Sequence, residues 1–500
     1  MPSRDVVKTL ETPAALSSVD PAEALIKEAH HRKRRRRLLV AGITTVLLAS
    51  SLGGYLLSRS GNRSPTPQAN IQPVGPTGPV VNKAAFARHG QLAFVSRSTL
   101  WVLDGSTASL RQIHTPGLVP VNPTFSPDGK WLAFVASKEI RENYGGDVLS
   151  SVLSSALWLA RANGTDAHPV EGIDFNTAFG WDPLSDLFAT SFGKATTVPL
   201  GNATGVDLVS PTGSIRPLLR GAHVTSAVWS PDGSAIAVST QSGPSGPNEW
   251  TATLATYPVN GGPSTAWESL HASYIVAAGC WPLWGIGYTT VGSGAVPGGS
   301  ATADGSPFFA IARPGATPRA LGMTLQNEST GTPSVTSTGW LAFVAINGSG
   351  GRTVWLGKQV VVCSPLTAGC TAVSHPAGTV TVDPVWSSTG STLAYSQAPA
   401  VQDYGFPQRV VASWYNAHQL YLFDPTTGSA QQNTQIHGAT VPLWSGNGRS
   451  LLYVSNNGLW LNSTLAEPAV EIARPLFAPG QWPAFYGQVA FSSRFSWSSD

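Results

Sequence analysis

The residues of this chain whose types and spacing bear on chemistry are a cysteine pair, two polar segments and a set of repeated turn carboxylates. Cys363 and Cys370 flank Ser-Pro-Leu-Thr-Ala-Gly, with the β-prone runs Val360-Val361-Val362 and Thr371-Ala372-Val373 outside them. That pattern is a hairpin whose flanks bring two thiols together, and it predicts a Cys363–Cys370 disulfide. So short a loop limits its stabilisation to at most ~2.5 kcal/mol. Cys280, in Gly279-Cys280-Trp281, reads as a small buried hydrophobe. Arg141, Tyr144 and Asp147 lie in one unusually polar segment, and Tyr404 and Arg409 in another. Both segments read as extended inter-strand loops, where binding residues collect on a rigid scaffold.

Asp128 and Asp232 each sit in Ser-Pro-Asp-Gly, so they read as turn formers before they read as acids. There is no G-x-S-x-G elbow, no H-E-x-x-H, no C-x-x-C and no phosphate-cradling glycine loop. His89, His114, His168, His223, His271, His375, His418 and His437 are scattered singly, without metal-ligand spacing. The sequence thus assigns no catalytic, metal or cofactor residue and implies no cofactor. Trp250, Trp267, Trp284 and Trp414 fall outside the repeat described next, which makes them candidates for a stacking surface for sugar or peptide.

The elements that must position these residues are announced by a repeat. Phe125-Ser126-Pro127-Asp128-Gly129 leads into Leu132-Ala133-Phe134, and Trp229-Ser230-Pro231-Asp232-Gly233 into Ile236-Ala237-Val238. Trp386 to Gly390 leads into Leu393-Ala394-Tyr395, and Trp444 to Gly448 into Leu451-Leu452-Tyr453. Each copy is strand, tight turn, strand: proline presets φ, aspartate bonds its own backbone, and glycine accepts φ > 0. Weaker copies start at Phe86, Trp181, Trp281, Val335 and Pro483. A period near 50 suits four strands and their loops, which is the content of a propeller blade. The expectation is an all-β protein, a β-propeller of four-stranded blades, eight in number with seven or nine as alternatives, preceded by one N-terminal transmembrane helix.

On these turns the chain resembles the TolB-type, WD40-like bacterial β-propellers, whose blades carry [FW]-S-P-D-G followed by an aliphatic-Ala-aromatic strand. Two copies match in full, Phe125–Gly129 and Trp229–Gly233, and the copies at Trp386 and Trp444 keep the aromatic, serine and glycine. The resemblance covers roughly residues 82 to 500. It implies a fold and leaves function open, because related propellers serve as interaction platforms, peptidase accessory domains and sugar-active enzymes.

Only 11% of the residues are charged, and the charge is uneven. Residues 1–63 hold 11 of the 30 Lys+Arg and 5 of the 27 Asp+Glu, so the rest of the chain is slightly acidic. A clustered basic face for nucleic acid is not expected. Residues 38–57 are uncharged and, as a helix, long enough to span a bilayer. Arg32, Lys33, Arg34, Arg35, Arg36 and Arg37 precede them and favour the cytoplasmic side. The domain reading is a cytoplasmic tail with a short basic helix (1–37), a transmembrane helix (38–57), a Pro/Gly/Ser-rich linker (58–81) and an extracytoplasmic propeller (82–500). The expected function is a membrane-anchored binding or scaffold module of the cell envelope, with an envelope protein, peptide or glycan as partner and no nucleic acid. Two alternatives stay open: a hydrolase or lyase acting on cell-wall glycan or peptide, and an envelope signalling protein with a regulatory tail.

Overall fold

The computed structural model describes residues 78–498, apart from 145–146, 172–177, 193–202, 243–250, 272, 293–305, 325–331, 347–356, 368, 402–412, 434–437, 479–488 and 490. The basic run, the apolar segment 38–57, Tyr404 and Arg409 lie outside the described residues. Among the described residues no helix is long and apolar enough to cross a membrane.

Nearly all regular structure is strand. After β1 (Val80–Val81) come β2 (Gln91–Ser96), β3 (Thr99–Asp104) and β4 (Ser109–Ile113), joined in one sheet by the last strand of the chain, β32 (Phe495–Ser498), in the order β32-β2-β3-β4. The second sheet is β5 (Val119–Phe125), β6 (Trp131–Tyr144), β7 (Asp147–Arg161) and β8 (His168–Pro169). A seven-stranded sheet follows: β9 (Ala178–Trp181), β10 (Phe188–Phe192), β11 (Ala203–Val209), β12 (Ile215–Trp229), β13 (Ala235–Ser242), β14 (Thr251–Pro258) and β15 (Thr265–His271). An eight-stranded sheet holds β16 (Ser273–Trp281), β17 (Gly285–Gly292), β18 (Ser306–Ile311), β19 (Arg319–Thr324), β20 (Ser334–Val335), β21 (Leu341–Ile346), β22 (Lys358–Cys363) and β23 (Cys370–Ala372). Next come β24 (Thr379–Trp386), β25 (Leu393–Pro399), β26 (Gln419–Asp424) and β27 (Ser429–Gln432). The last sheet is β28 (Thr440–Trp444), β29 (Leu451–Ser455), β30 (Gly458–Asn462) and β31 (Val470–Arg474), with β1 as a fifth strand on β31.

The two large sheets are each two meanders joined at a seam. β12 pairs with β11 through its first part and with β13 through His223–Trp229. β19 pairs in register with β21 only at Thr324 and Ala345. Every strand pairing among the described residues is antiparallel, and the first and last described strands, β1 and β32, lie in the last and first sheets respectively. The architecture is nearly all-β and consistent with a β-propeller. Val80 and Val81, which the sequence reading gives to the linker, pair with Arg474 and Ala473.

The repeated turns fold as their chemistry dictates. Ser126 donates to the Asp128 carboxylate at 2.7 Å, Lys130 N–H donates to the same oxygen, and Gly129 N–H donates to the Ser126 carbonyl. The turn at Ser230 and Asp232 repeats these bonds, and Gly233 sits at φ 64, where a Cβ would strike the Asp182 carboxylate of the adjoining turn. The strands beyond the turns are sealed on both faces, which is why they read as unbroken apolar runs: Leu341–Ile346 and Leu451–Ser455 are buried at every position.

Core layers lie between successive sheets. One packs Ala93, Val95, Leu100 and Val102 of the first sheet against Phe125, Leu132, Phe134 and Trp158 of the second. The repeat tryptophans lock these layers. Trp181 Nε1 donates to the Thr124 carbonyl at 3.0 Å, Trp229 Nε1 to Gly180 at 3.0 Å, and Trp444 Nε1 to Val385 at 3.1 Å. In each case the acceptor immediately precedes the repeat aromatic of the unit before. The wedge residue therefore satisfies its own donor while registering neighbours.

Candidate functional site

The ends of strands β9, β12, β16 and β20 and their turns line a shallow, open cavity of about 510 Å³. Its lining comes from Phe179, Trp181 and Pro183; Val228 to Pro231; Cys280 and Pro282; and Val335 to Ser337. None of these side chains is charged. The volume lies in the range of ordinary small-ligand and side-chain pockets. Of the four contributing turns, three are the ones that depart from the repeat. The turn after Trp181 carries Pro183-Leu184-Ser185 in place of Pro-Asp-Gly. The turn after Trp281 is shorter than the spacing suggests, since Trp281 pairs directly with Gly285. The turn after Val335 pairs that residue with Leu341. Trp229, from a full copy of the motif, forms part of the wall.

The polar groups at the rim are engaged locally. Asp182 accepts from Leu184 N–H at 2.9 Å and from the Ser185 hydroxyl at 2.5 Å. Asp232 accepts from Ser230 and Ser234, whose bonds hold its carboxyl below the usual range. Desolvation pushes the Cys280 thiol up to about 12, so it is an unreactive wall residue; it is half-buried, not the fully buried hydrophobe the sequence suggests.

A second, polar hollow of about 220 Å³ lies between the first and second sheets, lined by Gln91, Asp104, Ser106, Asp128 and Ser498 among others. Burial opposes the charge on Asp128, but bonds from Lys130 (2.7 Å) and Ser126 outweigh it and hold the carboxyl well below its ordinary value. Burial, reinforced by the Asp128 charge, raises Asp186. Lys130 neutralises this pair at the surface. Among the described residues no group of three or more His, Cys, Asp or Glu is placed to hold a metal ion.

Arg141, Tyr144 and Asp147 are not on a loop. They belong to β6 and β7, which continue past the rest of their sheet as a hairpin ladder with Arg141 opposite Ser150 and Tyr144 opposite Asp147. The polar run simply extends the strand register. This hairpin joins the second to the third strand of its sheet, at the end opposite the Ser-Pro-Asp-Gly turn. Trp284 and Trp414 are buried and donate to the carbonyls of Gly339 (2.7 Å) and Pro399 (2.7 Å), so they are core, not a stacking surface. Trp267 is half-buried against Thr256, and Trp250 lies outside the described residues. Cys363 and Cys370 face each other across β22 and β23 and are joined in a disulfide, with Cα atoms 4.0 Å apart. Trp386 and Trp444 are buried repeat residues, with Gly390 and Gly448 at positive φ in their turns.

The cavity itself was not legible as a site. The signal available was the loss of the motif at Trp181, Trp281 and Val335, which reads in sequence as mere decay.

No protein-family model matches the chain, and no curated protein matches it. Among solved structures, it is similar to an oligogalacturonate lyase in complex with manganese, at 14% identity and a TM-score of 0.39 over 80% of this chain and 89% of that one. It is similar to a prolyl endopeptidase at 11% identity and a TM-score of 0.44 over 76% of this chain and 54% of that one. It is also similar to TolB from Acinetobacter baumannii, at 12% identity and a TM-score of 0.34 over 77% and 64% of the two chains. None of these likenesses bears on what this chain binds or does.

Proposed function

We propose that the chain is a membrane-anchored, extracytoplasmic eight-bladed β-propeller that serves the cell envelope as a binding or scaffold module. The blade count is supported by giving β12 to both of its neighbours and dividing the eight-stranded sheet at its single-pair seam, which leaves four strands in every unit, with β1 added to the last. The first blade then takes its inner strand from β32, so nine repeat anchors are compatible with eight blades. The membrane part rests on the uncharged segment 38–57 and the basic run before it.

The observation that carries the binding reading is the uncharged cavity built where the repeat is broken. Local departures from a consistent pattern concentrate at functional sites. Topology is tested by protease treatment of intact cells carrying the full chain with an N-terminal tag. The expected result is loss of the propeller with survival of a short tagged fragment. A fully protected chain would overturn the envelope placement. Binding is tested by placing a photoreactive residue at exposed Ser337 in native membranes. A discrete crosslinked species is expected there, and its absence would count against a binding role for the cavity.

A further inference from the structure

A single helical turn, residues 413–416, lies in the connection from β25 to β26. Trp414, Tyr415 and His418 are all buried, and His418 is 0% exposed. Trp414 and Tyr415 enter the apolar core that holds Phe94 of the first sheet, Val454 of the last, Phe491 from the connection between β31 and β32, and Phe495 of β32 itself. The turn is therefore wedged at the joint where the last sheet meets the first. Three hydrogen bonds hold it there. Trp414 Nε1–H donates to the Pro399 carbonyl at 2.7 Å, Gly438 N–H to the His418 carbonyl at 2.9 Å, and Val489 N–H to the Tyr415 hydroxyl at 3.1 Å. They reach back to β25, forward to the approach to β28, and across to the connection into β32.

His418 is the odd member of this wedge. Its ring lies flat on Tyr415, with planes 8° apart, and edge-on to Trp414 at 4.4 Å. Nδ1 faces the Trp414 carbonyl at 3.0 Å. A carbonyl only accepts, so the ring proton sits on Nδ1 and Nε2 carries a lone pair. Nε2 is buried and has no hydrogen-bond partner. The titratable and charged groups packed nearby are Tyr415 on the same turn and Asp383 of β24, close to Tyr415. From the first sheet and the β31–β32 connection come Arg97, whose N–H donates to the Leu476 carbonyl, and Arg494, whose guanidinium lies over Phe477 at 4.2 Å. Among the described residues none of these groups bonds the imidazole. A proton arriving at Nε2 would thus create a buried cation with a donor and no acceptor, which an apolar core does not tolerate. The ring stands at the end of the turn, so undocking this short segment hydrates it while the strand ladders stay paired.

We propose that residues 413–418 form an acid-released latch on the joint between the last and first sheets, in which protonation of His418 at Nε2 undocks the turn, withdraws the Tyr415 hydroxyl from Val489 N–H and loosens the connection into β32. Hydrogen exchange of the purified full chain from pH 7 to pH 4, expressed as protection factors so that the intrinsic pH dependence cancels, tests it. Between pH 6.5 and about 4 the released ring is charged and the docked ring is neutral, so protection of 413–420 and of Val489 N–H falls by up to about tenfold per pH unit. Protection of β13 stays level over the same range. Asp383 is bonded to Ser396, Thr440 and Val441 on the strands, not to the turn, so Asp383→Asn leaves the slope in place. His418→Phe abolishes it. Tyr415→Phe, which removes the acceptor of Val489 N–H, lowers the protection of that N–H by about tenfold at every pH and leaves the slope unchanged. Protection that is flat with pH, that falls equally in β13, that loses its slope in Asp383→Asn, or that keeps it in His418→Phe overturns the latch.

Discussion

The Asp383 carboxylate accepts a hydrogen bond from the backbone N–H of Val441 at 3.1 Å and another from the Thr440 hydroxyl at 2.7 Å, which couples two β-bulges on neighbouring sheets. Both bulges have a residue in the left-handed region, Asp383 at φ 56 and Val441 at φ 50. Aspartate adopts this region readily, but a β-branched valine does not. The carboxylate therefore holds the N–H of a strained, part-buried residue. Asp383→Ala is expected to cost about 2–4 kcal/mol in urea unfolding, whereas Asp383→Asn, which keeps an acceptor oxygen, costs far less.

The same carboxylate sets a pH dependence. Burial pushes Asp383 up to about 6 from 3.8 despite its three hydrogen bonds. The folded state then holds a proton that the unfolded chain has already released, so this contribution to stability is complete below pH 3.8 and is lost as pH rises through about 6. His418 acts in the opposite sense. It is buried with its ring stacked on Tyr415 at 5.1 Å, and burial lowers it to about 4 from 6.5. Its contribution is present above 6.5 and is lost as pH falls toward about 4. The two windows overlap, so the wild-type chain shows a shallow profile between them. Asp383→Asn should lose stability on acidification more steeply than wild type, and His418→Phe should gain it. Each limb is limited to about 1.4 kcal/mol per pH unit. Urea midpoints across this range decide it, and parallel profiles for all three proteins would refute the assignment.

How much of this was readable in the chain differs by element. The turns at Phe125, Trp229, Trp386 and Trp444 were legible because their residues act locally, and all four pair the aromatic with the aliphatic seven positions on. The pairing of β2 with β32 was not legible residue by residue, since it joins Leu92 to Trp497 across most of the sequence. Nor was the length of β6 and β7, because a polar run carries no sign of whether its ladder continues. Asp383 gave no warning either: its role depends on a neighbour 58 positions away. The cavity needs four separate turns at once, which no local pattern records.

The tryptophan locks make a comparative prediction. Trp229 donates to Gly180, while the buried Trp386 Nε1 has no acceptor among the described residues. The preceding strand there, β20, has only two residues and bonds the backbone of Trp386 through the Ser334 hydroxyl instead. The substitution Trp→Phe removes the same volume at both sites but a satisfied donor at only one. Trp229→Phe should therefore cost about 1–3 kcal/mol more than Trp386→Phe. Thermal or urea unfolding of the pair measures it, and equal losses would mean that the indole bonds contribute nothing beyond packing.

Thiol chemistry separates the three cysteines. Cys363 and Cys370 are bonded to each other, and Cys280 is a wall residue whose thiol burial raises to about 12. Iodoacetamide on the folded, unreduced chain should therefore label none of them appreciably. Reduction under native conditions should make the part-exposed Cys370 available while Cys363 stays buried, at a stability cost of at most about 2.5 kcal/mol because the closed loop is so short. Unfolding should then add Cys280 and Cys363. Mass mapping after each step reads the order directly. Early labelling of Cys280 would show that the cavity wall is open to solvent, and labelling of Cys363 without reductant would rule out the bond.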